Sequence, residues 1–462
     1  MMNIKKYIKR LLLLIISIII CITFVFTPLK KIPHSIKSYS QPTWVNVFIH
    51  GSFGTSIGLL STFKILQDDV ANSKYHQITR LMRNDPFFYQ LQIILNKGLV
   101  KVEPSFDLQT TNGNKFAAYP IIKSFDIVSR FIRNNKKQLY YTYGWSGLLS
   151  QKSRRIESIK FYNKLSTEIE KLKQSGINPK IRIIAHSHGG NLVANIAAIT
   201  LRQAQGDREL KTTKQMQNLI SSLPSKKNAK KKWYYKPTSA ISKIDELILF
   251  GTPIQPETDY LFSSATFKKV YNFYSEADVI QTLDGLSTKR FFSEQRIEIN
   301  KKLKKASHII QARITLGEIK ALQNTQATQE EEASWWKKLF VNFSKNVNAP
   351  THKELWFFDW RDETSQQSLF MKPLPTVVLT PILIKLIEQT KNATDVDINI
   401  QANSKKLTAF LMDHDKQTIR NKKEISTEII TNLKKQVSKW KPENFTQSTE
   451  LKVINKHCRN FL

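Results

Sequence analysis

From Trp44 onward the chain repeats one pattern: a short apolar run that breaks at a polar or glycine-containing turn, then a longer stretch with apolar residues every three or four positions. The run Trp44–Ile49 breaks into "HGSFG", "FAAYPIIKSFDIVSRFI" has helical spacing, Gln138–Tyr143 reads as a strand, and "RRIESIKFYNKLSTEIEKLKQSG" reads as an amphipathic helix ended by Gly176. "KIRIIAHS" is then a strand, "GGNLVANIAAITLRQAQ" a helix, and "IDELILFGTP" and "KKVYNFYSEAD" two further strands. Short apolar strands alternating with amphipathic helices require burial on both sides. The predicted class is α/β, a mostly parallel central sheet with helices on both faces, and chemistry is expected at the carboxyl ends of its strands.

The pattern does not fill all 462 residues. Residues 1–28 read as an N-terminal signal anchor: Lys5, Lys6, Lys9 and Arg10 precede an uncharged run from Leu11 to Phe26, and no small-residue cleavage site follows. The basic flank favours a cytoplasmic amino terminus and an extracytoplasmic body, or a secreted body if the segment is cleaved. Bulky Ile20 argues against lipid modification of Cys21, and the remaining cysteine, Cys458, leaves no disulfide within the body. Residues 29–42 form a polar tether, and 43–392 the main domain. Stretches 205–237 and 286–349 read as insertions, the second made of polar helices; 393–462 reads as a polar, helical C-terminal extension.

The chain carries 71 basic and 37 acidic residues, a net +34. Lysine is spread along the whole chain, which gives a solvated basic surface rather than a groove, and no nucleic-acid partner is expected. The one concentration is the segment 211–236, where lysines end in Trp233, Tyr234 and Tyr235. Cations beside aromatic rings suit lipid headgroups, so this segment is either a lid lying on a membrane or a disordered basic loop.

The chemistry centres on Ala185-His186-Ser187-His188-Gly189. A sharp strand-to-helix turn lifts a serine above the sheet and leaves the next backbone N–H, that of His188, at a helix N-terminus that favours negative charge. Such a turn demands small residues two before and two after the serine, here Ala185 and Gly189. With that context the segment resembles the nucleophile elbow of the α/β-hydrolase superfamily, esterase and lipase branch, with Ala185 in place of the first glycine of G-x-S-x-G. The resemblance runs over roughly Trp44 to Gln389. It implies that the loop after His50-Gly51 supplies a second oxyanion N–H from Ser52, or failing that Phe53. It implies an acid after a later strand, Asp278 in "YSEAD", with Glu276 and Asp284 as neighbours that could be mistaken for it. It also implies a histidine last in chain order, His352 in "NAPTHKELWFF" ahead of His308 in "KKASHIIQARI". On this resemblance the protein is a membrane-anchored serine hydrolase of carboxylic, lipid-type esters with no cofactor and no metal. The same triad also serves acyl transfer and thioester cleavage, and the same fold occurs in non-catalytic binding proteins. His186 and His188 lack carboxylate or cysteine neighbours at ligand spacing, and neither a P-loop nor a dinucleotide fingerprint is present.

Overall fold

The computed structural model describes residues 42–52, 93–104, 119–133, 138–148, 151–205, 241, 243–278, 293–298, 308–317, 349–360, 371–390, 394–402, 406–414 and 418–441, with isolated positions 77, 81, 281, 452 and 456. The anchor 1–28, the tether up to residue 41, the basic segment 211–236, Phe53 and Asp284 lie outside the described residues. Among the described residues no helix is long and apolar enough to cross a membrane.

Ten strands form one sheet: β1 (Thr43–Ile49), β2 (Gly98–Val102), β3 (Gln138–Gly144), β4 (Pro179–His186), β5 (Glu246–Phe250), β6 (Val270–Tyr274), β7 (Ile309–Leu316), β8 (Asp395–Ala402), β9 (Lys406–Asp413) and β10 (Ile419–Ser426). Their order across the sheet is β10-β9-β8-β7-β6-β5-β4-β1-β3-β2. The six pairings from β8 through to β3 are parallel. The strands outside them, β2 on one edge and β9 and β10 on the other, pair antiparallel.

Helices α1 (Tyr119–Arg133), α2 (Gln151–Gln174), α3 (His188–Gln205), α4 (His352–Trp356), α5 (Thr380–Glu388) and α6 (Thr427–Ser438) accompany the sheet. Alternate strand residues divide between two cores, as side chains of period two must. Val45, Val47 and Ile49 of β1, Ile181 and Ile183 of β4, and Leu247 and Leu249 of β5 pack with α2 and α3. Phe48, Ile184, Ile248 and Phe250 point the other way and pack with Ile121, Ile122 and Phe125 of α1 and with α5 and α6. Each such fully buried side chain contributes about 1.5–3 kcal/mol. Helix α2 ends at Gly176, whose φ of 77° lets its amide and that of Ile177 close back on the carbonyls of Lys173 and Leu172, both at 3.0 Å.

Among the apolar strands sits a buried ion pair. Arg182 of β4 and Glu246 of β5 are register partners, and Arg182 Nε donates to Glu246 Oε2 at 2.5 Å with the arginine side chain 0% exposed. The guanidinium also donates to Asn46 Oδ1 at 3.3 Å and lies 4.1 Å from the centre of the Trp44 ring. Three strands are thereby pinned in one register.

The expectations for residues 286–349 and for the C-terminal region need correction. Within the first, Ile309–Leu316 is not part of a polar helical insertion but β7, a buried strand between β6 and β8. The region from 393 does not begin as a helical extension: β8, β9 and β10 continue the same sheet before α6. Polar residues in these strands hid the pattern. Asp397 and Asn399 are buried, but Arg313 neutralises the first and Asn399 donates to Thr315 Oγ1 at 2.9 Å. Strand β2, inside a stretch without clear periodicity, went unread.

Because removal of one partner leaves a buried charge, Glu246→Ala is expected to lower unfolding stability by about 3–5 kcal/mol in denaturant titration, whereas Arg182→Met with Glu246→Leu costs far less. Equal losses for the single and double replacements would refute this account.

Candidate active site

The site is built where the chain ends β4 and begins α3 with a single residue between them. That residue is Ser187, at φ 51°; the one other non-glycine with positive φ among the described residues is Asn96. A left-handed serine costs roughly 1–2 kcal/mol, so the surrounding packing must hold it there. Its amide donates to the Phe250 carbonyl at 2.9 Å and its carbonyl accepts from Gly190 N at 2.9 Å.

Absent side chains make this turn fit. A Cβ on Gly51 would lie 2.5 Å from Ser187 Cβ, and one on Gly189 would lie 2.6 Å from the His50 carbonyl oxygen. One on Gly190 would strike the side chain of Thr252. Ala185, the alanine variant in the motif, is fully buried at the end of β4. The small-residue requirement read from the sequence thus has a direct steric cause.

Beside the elbow, His50 braces the loop that leads to Ser52. The Trp145 amide donates to His50 Nε2 at 3.1 Å, so the ring proton is on Nδ1, which donates to the Gly51 carbonyl at 2.5 Å. Trp145 stacks on the ring at 5.5 Å and returns a bond from its indole N–H to the His50 carbonyl at 2.7 Å. Ser52 follows, half-buried, and its hydroxyl has no hydrogen-bond partner among the described residues. His188 is the first residue of α3, where backbone N–H groups lack intrahelical acceptors.

The acid and the histidine come from distant segments. Asp278 is fully buried in a turn after β6, with its amide on the Ser275 carbonyl at 3.0 Å. Its Oδ1 accepts from the Gln281 amide at 3.0 Å, and Gln281 Nε2 reaches the Thr252 carbonyl at 2.7 Å. His352 is fixed at the start of α4 by a capping box in which Thr351 and Glu354 exchange bonds. Its Nδ1 lies 2.9 Å and 2.8 Å from the two Asp278 carboxylate oxygens. An ionised carboxylate only accepts, so Nδ1 is the donor in this contact.

Gly251, unremarked in the sequence, joins these parts. It follows Phe250, the acceptor of the Ser187 amide, and a Cβ on it would lie 2.5 Å from Asp278 Oδ2 and 3.0 Å from His352 Nδ1. At φ 55° it also adopts a conformation that other residues rarely tolerate. The ring of His186 lies 4.4 Å from that of His352 and stacks on Trp356 at 5.2 Å. The turn in "FGTP" was the available signal for Gly251; nothing in the sequence pointed to Trp145 or Trp356.

Neighbouring titratable groups are otherwise engaged. Glu276 receives Arg313 Nη1 at 2.5 Å, and Arg313 grips buried Asp397 with Nε at 2.8 Å and Nη2 at 2.5 Å. Burial alone would push that guanidinium down, but the bonds from Asp397 and Glu276 raise it above its ordinary value. Asp397 also accepts from His414 Nδ1 at 2.8 Å. Burial pushes the phenol of Tyr274, at the end of β6, up to about 12, so it stays protonated near neutrality. His308 precedes β7, at the opposite end of the parallel strands from Ser187, with Nε2 3.3 Å from the Phe262 carbonyl. The histidine that meets Asp278 is His352.

Compared with known proteins, the chain matches no family model, and no curated protein is significantly similar to it. The site therefore speaks through its geometry alone.

Glycine relieves left-handed strain that alanine retains, so Ser187→Gly is expected to be more stable than Ser187→Ala by about 1 kcal/mol in thermal or denaturant unfolding. An alanine variant at least as stable as the glycine one would remove the case for strain at this turn.

Proposed function

We propose that the chain is a serine hydrolase of the α/β-hydrolase fold that cleaves carboxylic esters, lipid esters foremost. The observation that carries the reading is the contact of His352 Nδ1 with both oxygens of buried Asp278 against Gly251, the residue after the Phe250 that accepts from Ser187, itself held at φ 51° between a strand and a helix. Support also comes from chain order. Serine, acid and histidine follow β4, β6 and β7 in turn, the order Ser, Asp, His that belongs with a nucleophile elbow at the top of a parallel sheet.

In the proposed reaction His352 Nε2 takes the proton of Ser187 Oγ as that oxygen attacks the ester carbonyl. The oxyanion that forms is held by the backbone N–H groups of Ser52 and His188, the latter at the amino end of α3. Asp278 fixes the tautomer of His352 and stabilises the imidazolium without taking its proton. The intermediate collapses, His352 returns the proton to the leaving alcohol, and an acyl group remains on Ser187. Water, deprotonated by the same nitrogen, then attacks the acyl-enzyme, and the carboxylic acid leaves with Ser187 restored. Because Asp278 is fully buried, its charge acts on His352 with little screening by water.

We further assign the body to the extracytoplasmic side of a membrane, held by the segment 1–28, with the basic segment 211–236 facing anionic headgroups. The support is the uncharged run Leu11–Phe26 behind a basic flank, together with the aromatic residues that end the lysine cluster.

A fluorophosphonate probe is expected to label the protein at Ser187 and to leave Ser187→Ala unlabelled. His352→Ala should lower kcat for 4-nitrophenyl butyrate by about 10⁴-fold or more, with His308→Ala close to the parent. Loss of turnover in His308→Ala but not in His352→Ala would overturn the assignment of the base. For the anchor, the full chain should stay with membranes through a carbonate wash while a chain starting at Pro42 should not; equal release of both would sink that part of the proposal.

A further inference from the structure

Behind the elbow lies a cation that the proposed mechanism leaves unused. Arg154, in the first turn of α2, is 0% exposed. Its Nη1 is in hydrogen-bond contact with His188 Nδ1, and its Nη2 donates to Gln255 Oε1 at 2.9 Å. The same Gln255 oxygen accepts from Gln151 Nε2 at 2.7 Å, so two residues of α2 converge on the loop after β5. That loop is tied to α3 as well, through Asn191 Nδ2 on the Pro253 carbonyl at 2.8 Å.

The chemistry of this contact has one solution. A guanidinium donates through every nitrogen and accepts through none, so His188 Nδ1 must be the acceptor and carries no proton. The ring is then neutral, with its hydrogen on Nε2. We infer that Arg154 is a positioning residue, which locks the imidazole next to the nucleophile as the neutral Nε2–H tautomer and holds a permanent positive charge behind the amino end of α3. The inference rests on the proposed serine hydrolase for its purpose, though not for its chemistry.

Its purpose follows from the two imidazoles that the proposed reaction sets around Ser187. During attack His352 becomes an imidazolium, and a second imidazolium at His188 would oppose it. Arg154 occupies one ring nitrogen of His188, and a cation in direct contact disfavours protonation of the other. The same charge reinforces the helix dipole at the place where the His188 amide would meet the oxyanion. Arginine suits the task because its rigid fork reaches His188 and Gln255 at once, whereas lysine has one flexible head for both.

The test uses the full chain with ¹⁵N-labelled histidine imidazoles, the His188 signals being identified by their loss in His188→Gln. Long-range ¹H–¹⁵N correlation is expected to show an unprotonated Nδ1 and a protonated Nε2. In Arg154→Met this signature should give way to tautomer exchange or protonation. There kcat for 4-nitrophenyl butyrate should fall about 10–100-fold while KM stays within about twofold, the mark of a lost transition-state contribution. An Nδ1–H or doubly protonated His188 in the unaltered protein overturns the inference, and so does unchanged kcat in a folded Arg154→Met. The spectrum of the unaltered protein decides even if that variant does not fold. Failure of fluorophosphonate labelling alongside the Nε2–H signature would count against the hydrolase reading and leave the locked tautomer standing.

Discussion

Within the five residues from Ala185 to Gly189 the chain turns from strand to helix, and the turn is possible only because backbone can approach backbone there. Gly51 leaves room for Ser187 Cβ, Gly189 for the His50 carbonyl, and Gly251 for the carboxylate and imidazole that meet beside it. These contacts come from three parallel strands, β1, β4 and β5, whose register is fixed side by side. A slip of one residue in any of them would turn each side chain to the opposite face and drive a Cβ into the elbow. The buried Arg182–Glu246 pair, midway along β4 and at the start of β5, opposes such a slip, because its two charges meet in one alignment only.

That dependence explains why the elbow was legible in the sequence and its surroundings were not. Local sterics write themselves into neighbouring positions, so Ala185 and Gly189 stand two residues either side of the serine, while Gly51 directly follows the apolar run of β1 and His50. The core strands were equally plain, since β1, β3, β4, β5 and β6 are short apolar runs bounded by turns. The contact between Asp278 and His352 could be anticipated through the chain order that the family resemblance implies, but the contact of Arg154 could not. An arginine in an amphipathic helix looks solvated, and nothing near it in sequence tells that His188 will stand against it.

The strands after β6 were misread for a related reason. In β7 and β8 the pattern of apolar residues is broken by Arg313, Asp397 and Asn399; Arg313 grips Asp397 across the sheet, and Asn399 donates to Thr315. Each alone suggests a surface. Each has its partner across β7 and β8, Arg313 with Asp397 and Asn399 with Thr315, in both cases a relation between positions 84 residues apart that no local window contains.

The contacts of Arg313 give the carboxyl-terminal strands a standing that their position in the chain would not suggest. Arg313 holds Glu276, two residues before Asp278, with one nitrogen and Asp397 of β8 with two others. His414, just past β9, adds a third grip on Asp397. Ser187, Asp278 and His352 all lie before β8, yet the turn that carries Asp278 is anchored to a strand beyond them. The strands beyond α5 are therefore a buttress rather than an appendage: a protein ending after α5 would contain Ser187, Asp278 and His352 and lack the abutment against which the turn of Asp278 rests.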